Sequence, residues 1–342
     1  MIAKTHLKVA ALFLLKLLGT GVFLYWALSR IDDQRVLVDH FRNALKSPFW
    51  VSAGIGFGGV SVIAWALRWY YLLKAQSLDV TFPFVVRMTL IAALFNIVSV
   101  GGAAGNAARM IGVMRRNPGK KLIITLTVLM DHLVGFVATG MIFLTFAWGA
   151  GGMHQAGNPA LKNLLVAATV FELGGVVFIV LFFVICSESI LGRFRRKYPV
   201  LARREHLASF TECLNLYRSR WQQTIQSLAV SIMLSVTFFM AFYAALRTVQ
   251  EQVEVTTVLT VMPLVDIASS MPISISGLGV REKTFEYLVS EIAGVKAEAA
   301  VSASLIGFLF HVFWGLVGGA VLIFNRSNFS SPDQENPSSS PE

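Results

Sequence analysis

Apolar residues run along this chain in blocks of roughly twenty or more, at 9–28, 49–67, 122–148, 163–186, 225–246 and 298–324. A helix that crosses a membrane needs about 20 such residues to cover roughly 30 Å of hydrocarbon, so the blocks predict six full spans. Two further apolar stretches, 82–114 and 255–293, are interrupted in the middle. Ser99-Val100-Gly101-Gly102-Ala103-Ala104-Gly105 breaks the first, and Met271-Pro272-Ile273-Ser274-Ile275-Ser276-Gly277-Leu278-Gly279 breaks the second. Gly and Pro there predict two short helices joined by a non-helical bend. The expected fold is an all-α integral membrane protein: one polytopic domain over 1–324 with six spans and two re-entrant broken hairpins, or up to eight transmembrane helices if the hairpins are counted.

Composition agrees with the pattern. Apolar residues make up 55% of the 342 and charged residues 14%, against roughly 25% charged in soluble domains. That leaves no room within these residues for a separate soluble catalytic domain. The net charge of +10 would suggest nucleic acid in a soluble protein, but here the basic residues collect between the apolar blocks, as the positive-inside rule requires. The run 9–28 follows Lys4 and Lys8 and is too long for a signal-peptide core, so it reads as a retained first span. Cys186 and Cys213 have no paired spacing and imply neither a disulfide framework nor a metal site.

Charge placement also sets an orientation. Arg68 and Lys74 precede the first broken stretch and Arg115, Arg116, Lys120 and Lys121 follow it, which puts both its ends on the cytoplasmic side. The span 122–148 then leads outward, and 163–186 returns to a loop at 187–222 that holds Arg193, Arg195, Arg196, Lys197, Arg203 and Arg204. The span 225–246 exits, the second broken stretch dips in from outside, and 298–324 brings the chain back to Arg326, with both termini cytoplasmic. Each half, about 1–150 and 160–324, reads span, span, broken hairpin, span, entered from opposite sides. This is an inverted-topology repeat, an arrangement that places substrate sites near the midplane of transporters. In the loop, Leu207, Phe210, Leu214, Tyr217 and Trp221 recur at near-helical spacing among arginines and predict an amphipathic helix lying on the bilayer. The tail 325–342 is rich in Ser, Pro and acidic residues and cannot build a core.

Charges inside hydrocarbon cost at least about 2.5–3.5 kcal/mol each, so those present need a reason. Asp131 sits about 15 Å into its span at 1.5 Å per residue, next to His132. Glu172 and His311 lie at comparable depth, where salt bridges tying helices together are the favoured reading, and Lys16 can snorkel outward. Arg109 and Arg281 flank the broken hairpins. A helix start offers unpaired N–H groups, glycine lets a ligand approach the backbone, and an adjacent guanidinium adds a bidentate partner for phosphate. The candidate substrate-binding set is therefore Asn96, Gly101, Gly102, Gly105, Arg109, Asp131, His132, Asp266, Ser276, Gly277, Gly279, Arg281 and Glu282. It suits the phosphate of a lipid head group held between the two hairpins, with Asp131 and Asp266 balancing the arginines or receiving a cation. Zinc, phosphate-loop and nucleophile-elbow motifs are absent from the sequence, and no metal, cofactor or catalytic residue is expected.

The stretch Pro272-Ile273-Ser274-Ile275-Ser276-Gly277-Leu278-Gly279-Val280-Arg281-Glu282 closely resembles the C-terminal signature of the lysylphosphatidylglycerol synthase transmembrane-region family, also described as flippase-like. Arg68-Trp69 with Leu72-Leu73, Asn96 followed by Gly101-Gly102 and Arg109, and Asp131-His132-Leu133-Val134-Gly135 support the resemblance over nearly the whole chain. It implies an integral membrane fold of this kind in the cytoplasmic membrane. In the family's best-known member, the multiple peptide resistance factor, it implies movement of an aminoacylated phospholipid between leaflets. The soluble aminoacyl-transferase module of that member is not among these residues, so synthase activity is not implied. Two departures put the same lipid in question: Asn106 stands where relatives usually carry an acid, and His132 where arginine is common. The leading expectation is a translocase for a phospholipid or polyprenyl-phosphate head group. The alternatives are a membrane-embedded transferase using Asp131 or Glu282 as general base, or a scaffold in a lipid-synthesis pathway. Membrane lipids are the expected partners, with a homo-oligomer or a lipid-synthesis enzyme as further ones, and nucleic acid is not expected.

Overall fold

The computed structural model describes residues 20–22, 25, 26, 34–97, 102–149, 158–185, 215–217 and 219–324. Most of the span expected at 9–28, most of the basic loop 187–222 and the tail 325–342 lie outside the described residues, as do Gly101 and the other residues between 97 and 102. Within the described residues every regular element is helical: α1 (Gln34–Leu45), α2 (Pro48–Ala75), α3 (Phe82–Ile97), α4 (Ala103–Arg116), α5 (Lys121–Leu144), α6 (Pro159–Ile185), α7 (Trp221–Thr248), α8 (Val255–Ser270), α9 (Val280–Ala293) and α10 (Ala297–Phe324). A π-helical turn, Thr145–Gly149, continues α5, and a short 3₁₀ turn, Ile275–Gly277, lies between α8 and α9.

Five of these helices are long and apolar enough to cross a membrane, namely α2, α5 with its π turn, α6, α7 and α10. They coincide with five of the six expected spans. Both interrupted stretches are helix pairs, α3 with α4 and α8 with α9, and the breaks fall at the predicted Gly- and Pro-containing segments. At 16 residues each, α3 and α8 are about 24 Å long at 1.5 Å per residue, less than the roughly 30 Å of a bilayer core.

The helices α2 and α7 pack along one another as the most extensive contact of the fold. Small residues make this possible, with Ala241, Ala244 and Ala245 of α7 fully buried in the cluster that Trp50, Val51, Ile55 and Phe57 of α2 pack against, because short side chains let helix backbones approach. Around this pair, α10 lies against α3, α5 against α8, and each of α5 and α10 touches both central helices. Gly54, Gly58 and Gly59 on α2 face Phe310 and Trp314 of α10. Trp314 Nε1 also donates to the carbonyl of Ile55 at 2.8 Å, which satisfies an indole N–H in the middle of the bundle.

Several elements differ from expectation. Helix α2 runs on to Ala75, beyond the predicted end of its span, because Arg68 is paired inside the protein rather than standing at the membrane surface. Helix α1 was not anticipated, since its apolar positions are too few for a span. It packs on α2, α7 and α10 through Phe41 and Ala44, and His40 Nδ1 lies 3.0 Å from Ser302 Oγ. Tyr217, expected on the bilayer-facing side of an amphipathic helix, is instead buried against Leu72, Ala75, Met130 and Val134, and its hydroxyl donates to the Leu72 carbonyl. Nearby, Arg220 donates to the Lys74 carbonyl at 2.9 Å. The helix C-terminus thus supplies backbone acceptors that draw these residues off the lipid face.

The seam between α3 and α10 has backbone touching backbone. A Cβ at Gly318 would collide with the carbonyl group of Leu90, whereas a Cβ at Gly56 on α2 would meet nothing within 4 Å. Gly318→Ala should therefore cost about 1–3 kcal/mol of stability and Gly56→Ala less than about 0.5 kcal/mol, read as thermal unfolding of the purified protein in detergent.

Candidate functional site

Asp131 sits in α5 where the helix passes between α2 and α4. Its Oδ1 accepts from Arg68 Nε at 2.7 Å and its Oδ2 from Arg109 Nη2 at 3.0 Å. Both partners are nearly or fully buried, so the carboxylate ties three helices at one point. The Arg109 guanidinium is stacked between Trp65 and Trp69, 4.5 Å from each ring centroid, and a desolvated cation on an indole face gains about 2 kcal/mol or more. Arg109 Nη2 also donates to Asn106 Oδ1 at 2.6 Å, and Asn106 Nδ2 lies 2.9 Å from His132 Nε2. Gly135, one turn past Asp131, is bare where the Arg68 guanidinium lies, and a Cβ there would come within 2.9 Å of Nη1. That clearance explains the glycine in the Asp131 to Gly135 motif.

The second break is held by Glu282. Its Oε2 accepts from the Gly279 N–H at 2.5 Å, and its Oε1 takes Arg281 through Nε at 3.0 Å and Nη2 at 2.5 Å. The first bond is the returning half of a capping box, reaching back to the residue before the helix. Ser304 on α10 donates to the same carboxylate at 3.4 Å, which ties the break to the last helix. Gly279 has φ +82° and Gly102, which starts α4, has φ +70°, the left-handed region where glycine carries no Cβ penalty. Ser276 shares that region at φ +53°, and strain of this kind persists only where the surroundings hold it. The Arg281 guanidinium lies over the Phe308 ring, 4.1 Å from its centroid.

Between these two breaks lies a cavity of about 630 Å³, within the usual range for small-molecule sites. Its polar lining comes from both hairpins and the helices around them: Asn96, Arg68, Asp131, His132, Asp266 and Arg281. The turn Ile275–Gly277 also touches α3, so the hairpins meet at their tips. The rings of Phe136, Phe238, Phe239, Phe242 and Phe308 line the same cavity. His311 stacks on Phe242 and lies tilted against Phe238, with centroids 5.8 and 4.4 Å apart, and its Nδ1 lies 2.9 Å from the Gly307 carbonyl.

Of the residues the sequence singled out, Asn96, Gly102, Asp131, His132, Asp266, Ser276 and Arg281 line this cavity. Gly105, Arg109, Gly277, Gly279 and Glu282 do not. Arg109 is fully buried between Trp65 and Trp69 with its charge directed at Asp131, so it positions the site rather than facing it. Glu282 and the two glycines shape the break, and Gly105 makes room for Asn96, whose Oδ1 a Cβ would strike. Gly101 lies outside the described residues. The cation that does reach the cavity from the first half is Arg68, which sequence reasoning treated as a membrane-flanking charge. Its signal was present in an arginine followed directly by tryptophan inside a helix that stays apolar through Leu72 and Leu73. Asp266 has no hydrogen bond or ion pair among the described residues and is the cavity's one carboxylate in that condition.

Buried ions matched in this way destabilise strongly when one is removed, because the others are left without compensation. Asp131→Asn should cost about 3–5 kcal/mol by that rule, and Ser304→Ala, which loses a long bond, less than about 1 kcal/mol. Chemical denaturation of the two purified variants beside the wild type would check the order.

No curated protein matches the sequence. The sequence profile described as lysylphosphatidylglycerol synthase TM region matches residues 12–319, which takes in every described helix apart from the last residues of α10. With its apolar helices and its two broken hairpins, the chain is a multi-pass membrane protein that belongs to the lysylphosphatidylglycerol synthase TM region family.

Proposed function

We propose that this protein is a lipid translocase of the cytoplasmic membrane, which binds the phosphate of a phospholipid or polyprenyl-phosphate head group between its two broken hairpins and passes it from one leaflet to the other. The observation that carries this reading is the single cavity into which Arg68 from the first half and Arg281 from the second both face. Each arginine has one edge occupied by a carboxylate, through Nε in Arg68 and through Nε and Nη2 in Arg281. Nη1 of each has no bond among the described residues and is left as a donor. Two guanidinium edges in one cavity suit a tetrahedral anion, and the aromatic rings that line it suit the apolar part of the same molecule. Asp266 lines the same cavity, where it would receive a cationic group or take the place of the anion once the site empties.

The reading includes an inverted repeat of the two halves, α2 to α5 and α7 to α10. Exchanging the halves turns each packing pair among these eight helices into another pair that is also in contact: α3 with α10 becomes α8 with α5, α7 with α10 becomes α2 with α5, and α9 with α10 becomes α4 with α5. The pair α2 and α7 maps onto itself. Such symmetry supports alternation, because each half can adopt the arrangement the other holds.

Leaflet-resolved exchange of fluorescent phospholipids and of a polyprenyl phosphate in proteoliposomes tests the reading. Wild-type protein should catalyse exchange of at least one of them without changing its chemical identity. Arg281→Gln and Arg68→Gln should each slow exchange by roughly tenfold or more, the loss of one charge-assisted hydrogen bond of about 1.5–3 kcal/mol. Folded wild-type protein that exchanges none of these lipids, or variants that exchange at the wild-type rate, would overturn it.

A further inference from the structure

Glu172 stands apart from the cavity and from every ion pair described above. It lies near the middle of α6 and is 1% exposed, yet neither of its carboxyl oxygens has a hydrogen-bond partner among the described residues. The side chain is pressed against α5 at Gly140, where a Cβ would overlap its carboxyl group. Glycine at this position is what makes room for the carboxyl. The neighbours above and below are apolar: Phe171 and Gly175 on α6 pack on Phe136 of α5.

Among the described residues, the groups that could compensate a charge here are committed elsewhere or lie far along the helix axis. On α5 the titratable residues are Lys121, Asp131 and His132. Asp131 is nine residues before Gly140, about 13 Å along the axis, and is bonded to two arginines, while His132 is bonded to Asn106. On α6 itself Lys162 is about 15 Å away by the same rise. On α7, Ser235 is hydrogen-bonded to Thr139, Tyr243 packs on Trp50, and Arg247 lies over the same ring. On α9, Glu291 accepts from Asn158, and Glu286 is paired with Lys283. On α8, Asp266 faces the cavity. The hydroxyl of Thr169 donates to the Leu165 carbonyl and accepts from Trp148 Nε1.

We propose that Glu172 is a proton-binding site inside the membrane-spanning region, occupied while α6 is packed on α5 and vacated when that contact opens. An isolated carboxylate buried without a partner is among the most unfavourable groups a protein can hold, whereas the neutral acid carries only the smaller cost of an unmatched polar group. The proton goes onto a carboxylate oxygen on closure and returns to water on opening. Helix α6 is built for such movement. It is anchored by Leu161 and Leu165 in the core near its start, while Val170, Leu173, Val177, Phe178 and Leu181 are exposed beyond. The wall it leans on is the back of the cavity, since Phe136 and Thr139 line the cavity from the same segment of α5. Proton binding at Glu172 stands without the translocase reading.

Infrared spectroscopy of the full chain in proteoliposomes tests it directly. Wild-type protein should show the carbonyl stretch of a protonated carboxylic acid that is missing from Glu172→Gln, a replacement that keeps the shape of the neutral acid, and alkaline buffer should remove that component from the wild type. As a second measurement, a membrane-permeant carbodiimide, which reacts with carboxylic acids and not with carboxylates, should modify the peptide containing Glu172 several-fold faster at acidic than at alkaline pH. Identical carbonyl bands in wild type and variant at both pH values, or a Glu172 adduct formed at a rate independent of pH, would sink the proposal. Neither readout depends on lipid movement, so it can fail while the translocase reading stands, and the reverse.

Discussion

Asp131 accepts from Arg68 and Arg109 at once, and that junction determines how much of the bundle is arranged. In hydrocarbon a charge must find its opposite within the protein, so three helices are obliged to converge on one carboxylate. Trp65 and Trp69 then sheath Arg109, Gly135 clears space for Arg68, and Asn106 links Arg109 to His132. One carboxylate set against two guanidinium groups leaves the junction with an excess of positive charge when all three are ionised. The amide of Asn106 bonds Arg109 but cannot neutralise it. The excess sits beside the cavity, which Arg68 and Asp131 both line.

The second break answers the same constraint by a different route. Glu282 caps the N–H of Gly279 and holds Arg281, its own neighbour in sequence, so the ion pair and the backbone bend are settled together. Non-helical backbone at membrane depth is tolerated only where protein or a polar cavity satisfies it. Glu282 does part of that here by accepting the N–H of Gly279, and Thr20 accepts the N–H of Ile275.

The span blocks were legible because hydropathy over twenty residues is a long-range average that local detail cannot hide. The breaks were legible because glycine and proline act on the backbone where they stand. Pairing was not legible in the same way. Arg68 lies one residue beyond its apolar block and its partner is 63 positions away, so charge counting placed it at the surface while the fold placed it in the cavity. Arg109 and Glu282 were recognised as residues near the breaks, but whether a side chain faces a cavity or braces its wall depends on which aromatic rings close over it. Tyr217 misled for a related reason. Its spacing fitted an amphipathic helix, yet the end of α2 offered it a buried surface. For Glu172 depth was evident and a salt bridge was the natural expectation, but its carboxyl oxygens have no partner among the described residues.

The glycine seam between α3 and α10 has a mechanical meaning. Where side chains interdigitate, two helices can slide by hopping between rotamers, one notch at a time. Where the Leu90 carbonyl rests directly on the space of a missing Cβ at Gly318, neither group has a rotamer to exchange, and that point of the contact gives way only by parting. The first arm of one hairpin and the last helix therefore behave as a single stiff plate. Any rocking in this molecule has to be absorbed at its other joints, and the plate gives the rest of the bundle something fixed to turn against.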